Sequence, residues 1–103
     1  MKQKVKDIIK NNQIFFKKHA LKRMMERNIS IKDVKIFFEN FEIIETYTKD
    51  NALPLFLALG KNLKNEPLHI LFALNTDKIW IITCYEPDKK LWDETFTKRR
   101  KNL

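Results

Sequence analysis

The run LHILFALNTDKIWIITCY, residues 68–85, decides the fold. Two apolar stretches, Leu68 to Leu74 and Ile79 to Tyr85, flank the polar tetrapeptide Asn75-Thr76-Asp77-Lys78. Four residues of that kind suit a hairpin loop, so the run predicts two adjacent antiparallel strands. Upstream, Leu53 to Gly60 alternates imperfectly, with Leu53, Leu55, Leu57 and Leu59 on one side. Pro54 near its start marks a strand end or an edge. Glu42 to Thr48 (EIIETYT), rich in β-branched and aromatic residues, is the fourth predicted strand. Downstream, Pro87 stops the last strand. Lys89 to Phe96 is expected to form a short helix that returns Leu91, Trp92 and Phe96 to the sheet.

Before residue 40 the apolar period is helical. Lys2 to Lys10 carries Val5, Ile8 and Ile9 on one side and should end at Asn11-Asn12. Phe16 to Arg27 places Ala20, Leu21, Met24 and Met25 in one stripe, and Asn28 tolerates the left-handed conformation that closes a helix. Ser30, with Asp33 three residues on, reads as a capping box for a third helix. That helix turns Ile31, Val34, Phe37 and Phe38 inward and ends near Asn40. Helices followed by a meander make an α+β class: N-terminal helices on one face of a four-stranded antiparallel sheet, the other face partly open. The 103 residues hold no repeat, low-complexity tract or linker, so residues 1–103 are expected to form one domain.

With 21 Lys and Arg against 13 Asp and Glu, the net charge is +8, a field that attracts polyanions such as RNA, DNA or acidic proteins. One cationic cluster is Lys17, Lys18, Lys22, Arg23 and Arg27; the other, Lys98 to Lys101, supplies half of the excess. The chain lacks the run of about 18 apolar residues that a membrane helix needs. Met1-Lys2-Gln3-Lys4 leads into no secretory h-region, so a cytoplasmic location is expected. Cys84, the sole cysteine, has no internal disulfide partner and reads as a buried, inert thiol.

Few residues offer chemistry. On a helix, His19 and Arg23 are neighbours four apart, with Arg27 a further turn along. An imidazole beside guanidinium groups can move a proton while the arginines hold a phosphate. The same spacing equally fits a solvated basic face. His69 shares a strand face with Leu71 and Ala73, where a histidine is either a hydrogen-bonded core member or, if that face is open, an acid/base. Tyr85, sharing a face with Thr83 and Ile81, could orient a phosphate or stack on a base, or simply reach water. Arg99 and Arg100 follow the last apolar anchor and could fold over the sheet to clamp a phosphate, or form a solvated tail. Glu86 and Asp88 flank Pro87 but no motif supplies a third acidic ligand, so neither a metal nor a cofactor is expected. A single glycine cannot build a phosphate loop, and neither a GxSxG elbow nor an HExxH pair occurs.

The combined pattern runs through His19-Ala20, Arg23-Met24, Arg27, Ile29-Ser30, Val34, Glu42-Ile43-Ile44 and Tyr47. It continues in Pro54, Leu59-Gly60, Pro67-Leu68-His69, Ile82-Thr83, Tyr85-Glu86-Pro87-Asp88, Trp92 and Arg99-Arg100. From about Phe16 to Lys101 it resembles a bacterial domain-of-unknown-function family of small toxin-like proteins, akin to the RelE/ParE-like and BrnT-like toxins of type II toxin–antitoxin modules. Members commonly have glycine where Asn28 stands, which alters only the helix stop. The resemblance implies a RelE-like fold and endoribonuclease activity on RNA, either free or on the ribosome. It also implies a cognate antitoxin such as a YgiT-type zinc-finger protein.

The implied mechanism has the ribose 2′-OH attack the adjacent phosphorus, with no metal. Its expected catalytic residues are His19, Arg23, His69 and Tyr85, with Lys22, Arg27, Arg99 and Arg100 holding RNA. His19 is the first acid/base and His69 the reserve. The alternative is a non-catalytic basic module that docks on nucleic acid, ribosome or an acidic protein, because fold does not fix function. A third reading is a relic retained for autoregulation with its antitoxin.

Overall fold

The computed structural model describes residues 1–101; residues 102 and 103 of the expected domain lie outside the described residues. Three helices precede most of a five-stranded mixed sheet: α1 Lys2–Lys10, β1 Ile14–Phe16, α2 Lys18–Glu26, α3 Ile31–Phe37, β2 Glu42–Tyr47, β3 Leu55–Lys61, β4 Pro67–Leu74 and β5 Ile79–Tyr85. The sheet order is β1-β5-β4-β3-β2. The class is α+β as the periodicities predict, and β2 to β5 form the antiparallel meander.

A fifth strand corrects the four-stranded expectation. Ile14–Phe16 pairs parallel to Ile79–Ile81 of β5, so α2 starts at Lys18 rather than Phe16. Three residues are too few to display a period of two, and their pairing partner lies more than sixty residues away in sequence. Lys17 N donates to the Ile81 carbonyl, which locks the start of α2 onto β5.

Helix boundaries follow local chemistry. Asn12 and Asn28 both adopt left-handed φ of 57° where helices stop. At α3 the Ser30 hydroxyl accepts from Asp33 N, and an Asp33 carboxylate oxygen accepts from Ser30 N, completing the capping box. Asp33's other oxygen accepts from Leu63 N, tying the helix start to the β3–β4 loop. Ile31 is 49% exposed rather than inward, since only Val34, Phe37 and Phe38 of that helix reach the core.

The core lies between the helices and one sheet face. Val5, Ile8, Ala20, Met24, Val34, Phe37 and Phe38 pack on Ala58, Ile70, Phe72, Ile79, Ile81 and Cys84. An extra residue in β5 opposite Leu71/Phe72 changes which side chains share a face. Beyond it Ile81 turns into the core, and Trp80, paired with Ala73, joins Thr83 and Tyr85 on the opposite face. The sequence alone predicts Ile81 beside Tyr85 because strict alternation admits no bulge.

Residues 89–96 are not a helix. The Asp93 carboxylate accepts from the backbone of Thr95, Thr97 and Lys98, offering the chain an alternative to helical pairing. Phe96 sits at φ 60°. The chain instead doubles back, with Trp92 bridged to Arg99 and Arg100 N donating to the Leu91 carbonyl. This C-terminal clip covers one end of the sheet face that the helices leave free and buries Trp92 to 2% exposure, while Leu91 points outward.

Candidate functional site

Beneath the clip, β2, β4 and β5 bring together four side chains distant in sequence. His69 on β4 pairs directly with Tyr85 on β5, so both point to the same face. The His69 ring is wholly buried, lying edge-on to Trp92 at 4.5 Å between centroids. Its Nε2 is 2.8 Å from the Phe96 carbonyl oxygen. A carbonyl only accepts, so Nε2 carries the hydrogen. In the neutral ring Nδ1 is then bare, and the Tyr85 hydroxyl, 3.1 Å away, donates to it.

Burial keeps this imidazole neutral. It pushes the His69 pKa below the ordinary value, more than the Phe96 carbonyl and the Glu45 charge raise it, and Arg99 lowers it further. Burial likewise raises the Tyr85 phenol, against the opposing pull of Arg99. Tyr85 is partly buried, and its hydroxyl is bonded to the inner imidazole.

Arg99 closes the cluster from the clip. Its Nε and one terminal nitrogen grip both oxygens of Glu45 at 2.9 and 3.1 Å, and its guanidinium lies 4.6 Å over the Trp92 ring. Tyr47 also donates to Glu45. Burial alone would raise the Glu45 carboxyl, but the bonds from Arg99 and Tyr47 outweigh it and hold the group below its usual value. Burial, with Glu45 adding to it, raises the Tyr47 phenol. Bonds to Glu45 and Tyr47 keep Arg99 charged at any physiological pH. Its side chain is 59% exposed, so the guanidinium is accessible. Two phenols, each backed by a proton acceptor, thus flank one fixed cation.

The sequence candidates divide between two places. His69, Tyr85 and Arg99 converge. His19, Lys22, Arg23 and Arg27 belong to α2 and its C-terminal cap on the helical side of the sheet, whose buried residues Ala20 and Met24 pack in the core. His19 is exposed and makes no hydrogen bond or ion pair among the described residues. Among the described residues it shares no hydrogen bond with His69, Tyr85 or Arg99. Arg100 is apart as well, its Nε donating to the Lys89 carbonyl. Glu45, Tyr47, Trp92 and the Phe96 carbonyl are the members that sequence reasoning missed. Tyr47 and Trp92 lay within the family-like pattern, and the alternation of β2 places Glu45 and Tyr47 on one face. The Phe96 carbonyl has no sequence signal at all.

Cys84, on the core side, is wholly buried, and burial pushes its thiol up to about 11. Among the described residues, no three His, Cys, Asp or Glu side chains converge in a metal-holding arrangement. No helix there is long and apolar enough to cross a membrane.

The profile of DUF4258, a domain of unknown function, matches residues 16–86. The chain therefore belongs to that family. The match includes Glu45, Tyr47, His69 and Tyr85 but stops before Trp92 and Arg99, so the clip lies beyond it. No curated protein and no solved structure matches the chain.

Proposed function

We propose that this protein is a metal-independent endoribonuclease, the toxin of a type II toxin–antitoxin pair, with its centre at Tyr85, His69 and Arg99. The observation that carries this reading is the hydroxyl of partly buried Tyr85 donating to the bare Nδ1 of a buried neutral imidazole. A ribose 2′-OH against Tyr85 passes its proton to the phenol oxygen as the phenol proton moves to Nδ1. The 2′-oxygen bonds to the adjacent phosphorus, the P–O5′ bond breaks, and a 2′,3′-cyclic phosphate forms. Arg99 stabilises the charge that develops on the phosphoryl oxygens. Tyr47, on the other flank of Arg99, gives a proton to the leaving 5′-oxygen; the proton taken up by His69 then returns through Tyr85 and water to Tyr47, restoring both groups. Lys22, Arg23 and Arg27 contribute to the field that draws RNA in.

On this reading the family joins the RelE- and BrnT-like toxins, including their fold, and the protein works on cytoplasmic RNA. Its partner is an antitoxin, with a YgiT-type zinc-finger protein the one to seek.

A second reading has its own support. Every buried side-chain nitrogen and oxygen among the described residues has a partner, and Glu45 already neutralises Arg99. The cluster would then be a clasp that pins the clip to the sheet of a non-catalytic basic binder. End-labelled RNA, incubated in EDTA with and without ribosomes, separates the two. Catalysis predicts fragments ending in 2′,3′-cyclic phosphate and a loss of about 100-fold or more in Tyr85→Phe. RNA left intact under both conditions, or a Tyr85→Phe protein within about tenfold of wild type, refutes it.

A further inference from the structure

The sheet face that carries Tyr85 extends beyond the clip to an aromatic pair that the chemistry above does not use. Phe15 lies between Ile14 and Phe16, both packed in the core, so its ring projects to the opposite face. It pairs with Trp80, which the β5 bulge turns to that same face, and the rings stack at 5.1 Å and 30°. Both are half-buried. The Lys17 ammonium rests over the indole, 4.8 Å from its centroid. We infer that Phe15 and Trp80 form a base-stacking subsite for single-stranded RNA, with Lys17 as its phosphate contact, leading along β5 to the Tyr85 centre.

Three features favour that occupant. An aromatic pair beside a lysine ammonium offers a nucleobase a stacking surface and its phosphate a counter-charge. The immediate surroundings complement a polyanion, since Lys17 follows β1, Lys78 precedes β5 and neither strand contains a carboxylate. Spacing also fits. Trp80 and Tyr85 are five residues apart on one strand, about 16 Å, within the span of the shortest single-strand sites of about four nucleotides. Stacking tolerates any base, so the subsite gives grip and direction without sequence preference.

The inference rests on the proposed ribonuclease reading for its choice of RNA, but its test needs no cleavage. The full chain is titrated with a 2′-deoxy oligouridylate octamer, which lacks the attacking hydroxyl, and with an abasic strand of equal length. Anisotropy of the labelled strand and tryptophan emission are followed. Wild type should bind the base-bearing strand about tenfold or more tighter than the abasic one, with Trp80 emission quenched. Trp80→Leu should bring both strands to the same affinity, Trp80→Phe should restore most of the difference, and Lys17→Ala should weaken both strands. Equal affinity of wild type for the two strands overturns the subsite, as does a Trp80→Leu protein that still prefers the base-bearing one. Either result leaves RNA cleavage by Tyr85 standing. Conversely, intact RNA with base-dependent binding sinks the nuclease and keeps the subsite.

Discussion

Gly60 is the only glycine of the chain, and its place is set by space rather than by backbone conformation, since no glycine has positive φ. A Cβ added there would lie 2.6, 2.8 and 3.0 Å from three carbons of the Phe37 ring. Unstrained carbon pairs sit at about 3.5–4.0 Å, so in Gly60→Ala the ring must withdraw by about 1 Å. It has little room to do so. Phe37 is wholly buried, against Phe38 and Phe41 at centroid separations of 5.0 and 6.3 Å. Overpacking of this kind costs about 2 kcal/mol. In a domain of this size that lowers Tm by roughly 8–16 °C. Urea and thermal melts followed by circular dichroism read both quantities. The control is Phe37→Leu, which opens the contact at a cost of its own. In that background Gly60→Ala should cost less than about 0.5 kcal/mol. If it costs the same with and without the Phe37 ring, the close approach of α3 to β3 is not what Gly60 serves.

Stability should fall as pH drops below about 6.5, by at most about 1.4 kcal/mol per unit. The unfolded chain takes up a proton there that folded His69, its pKa lowered by burial, refuses. Urea melts from pH 8 to 5 should show this slope in wild type and lose it in His69→Gln. Cys84 should resist iodoacetamide at pH 8 until urea unfolds the protein; rapid labelling of the native chain would contradict its burial. Arg99→Lys breaks the two-pronged grip on Glu45 and the cover over Trp92, so limited trypsin digestion should cut within residues 89–101 faster than in wild type. If Tyr85 and His69 carry the chemistry, His19→Ala should leave RNA cleavage within about tenfold of wild type.

Much of this molecule is legible in residue order. Helix stops at Asn12 and Asn28, the Ser30–Asp33 box and the four antiparallel strands all arise from interactions within a few residues or from simple alternation. The sequence also singles out His69, Tyr85 and Arg99 as polar residues in unusual company. Which of them meet is another matter. His19 and Arg23 look as well suited to phosphate chemistry as His69 does, because helical spacing says which residues are neighbours and not which side of a sheet the helix covers. One extra residue in β5 sends Ile81 inward and Trp80 outward, against strict alternation. The parallel strand Ile14–Phe16 forms only because β5 is already in place to receive it. Asp93 and Phe96 bend the last segment into a clip, and a backbone carbonyl, invisible in any motif, selects the His69 tautomer. Short-range physics is written along the chain, whereas a bulge, a parallel pairing and a buried hydrogen bond depend on partners that come together only when the whole chain folds.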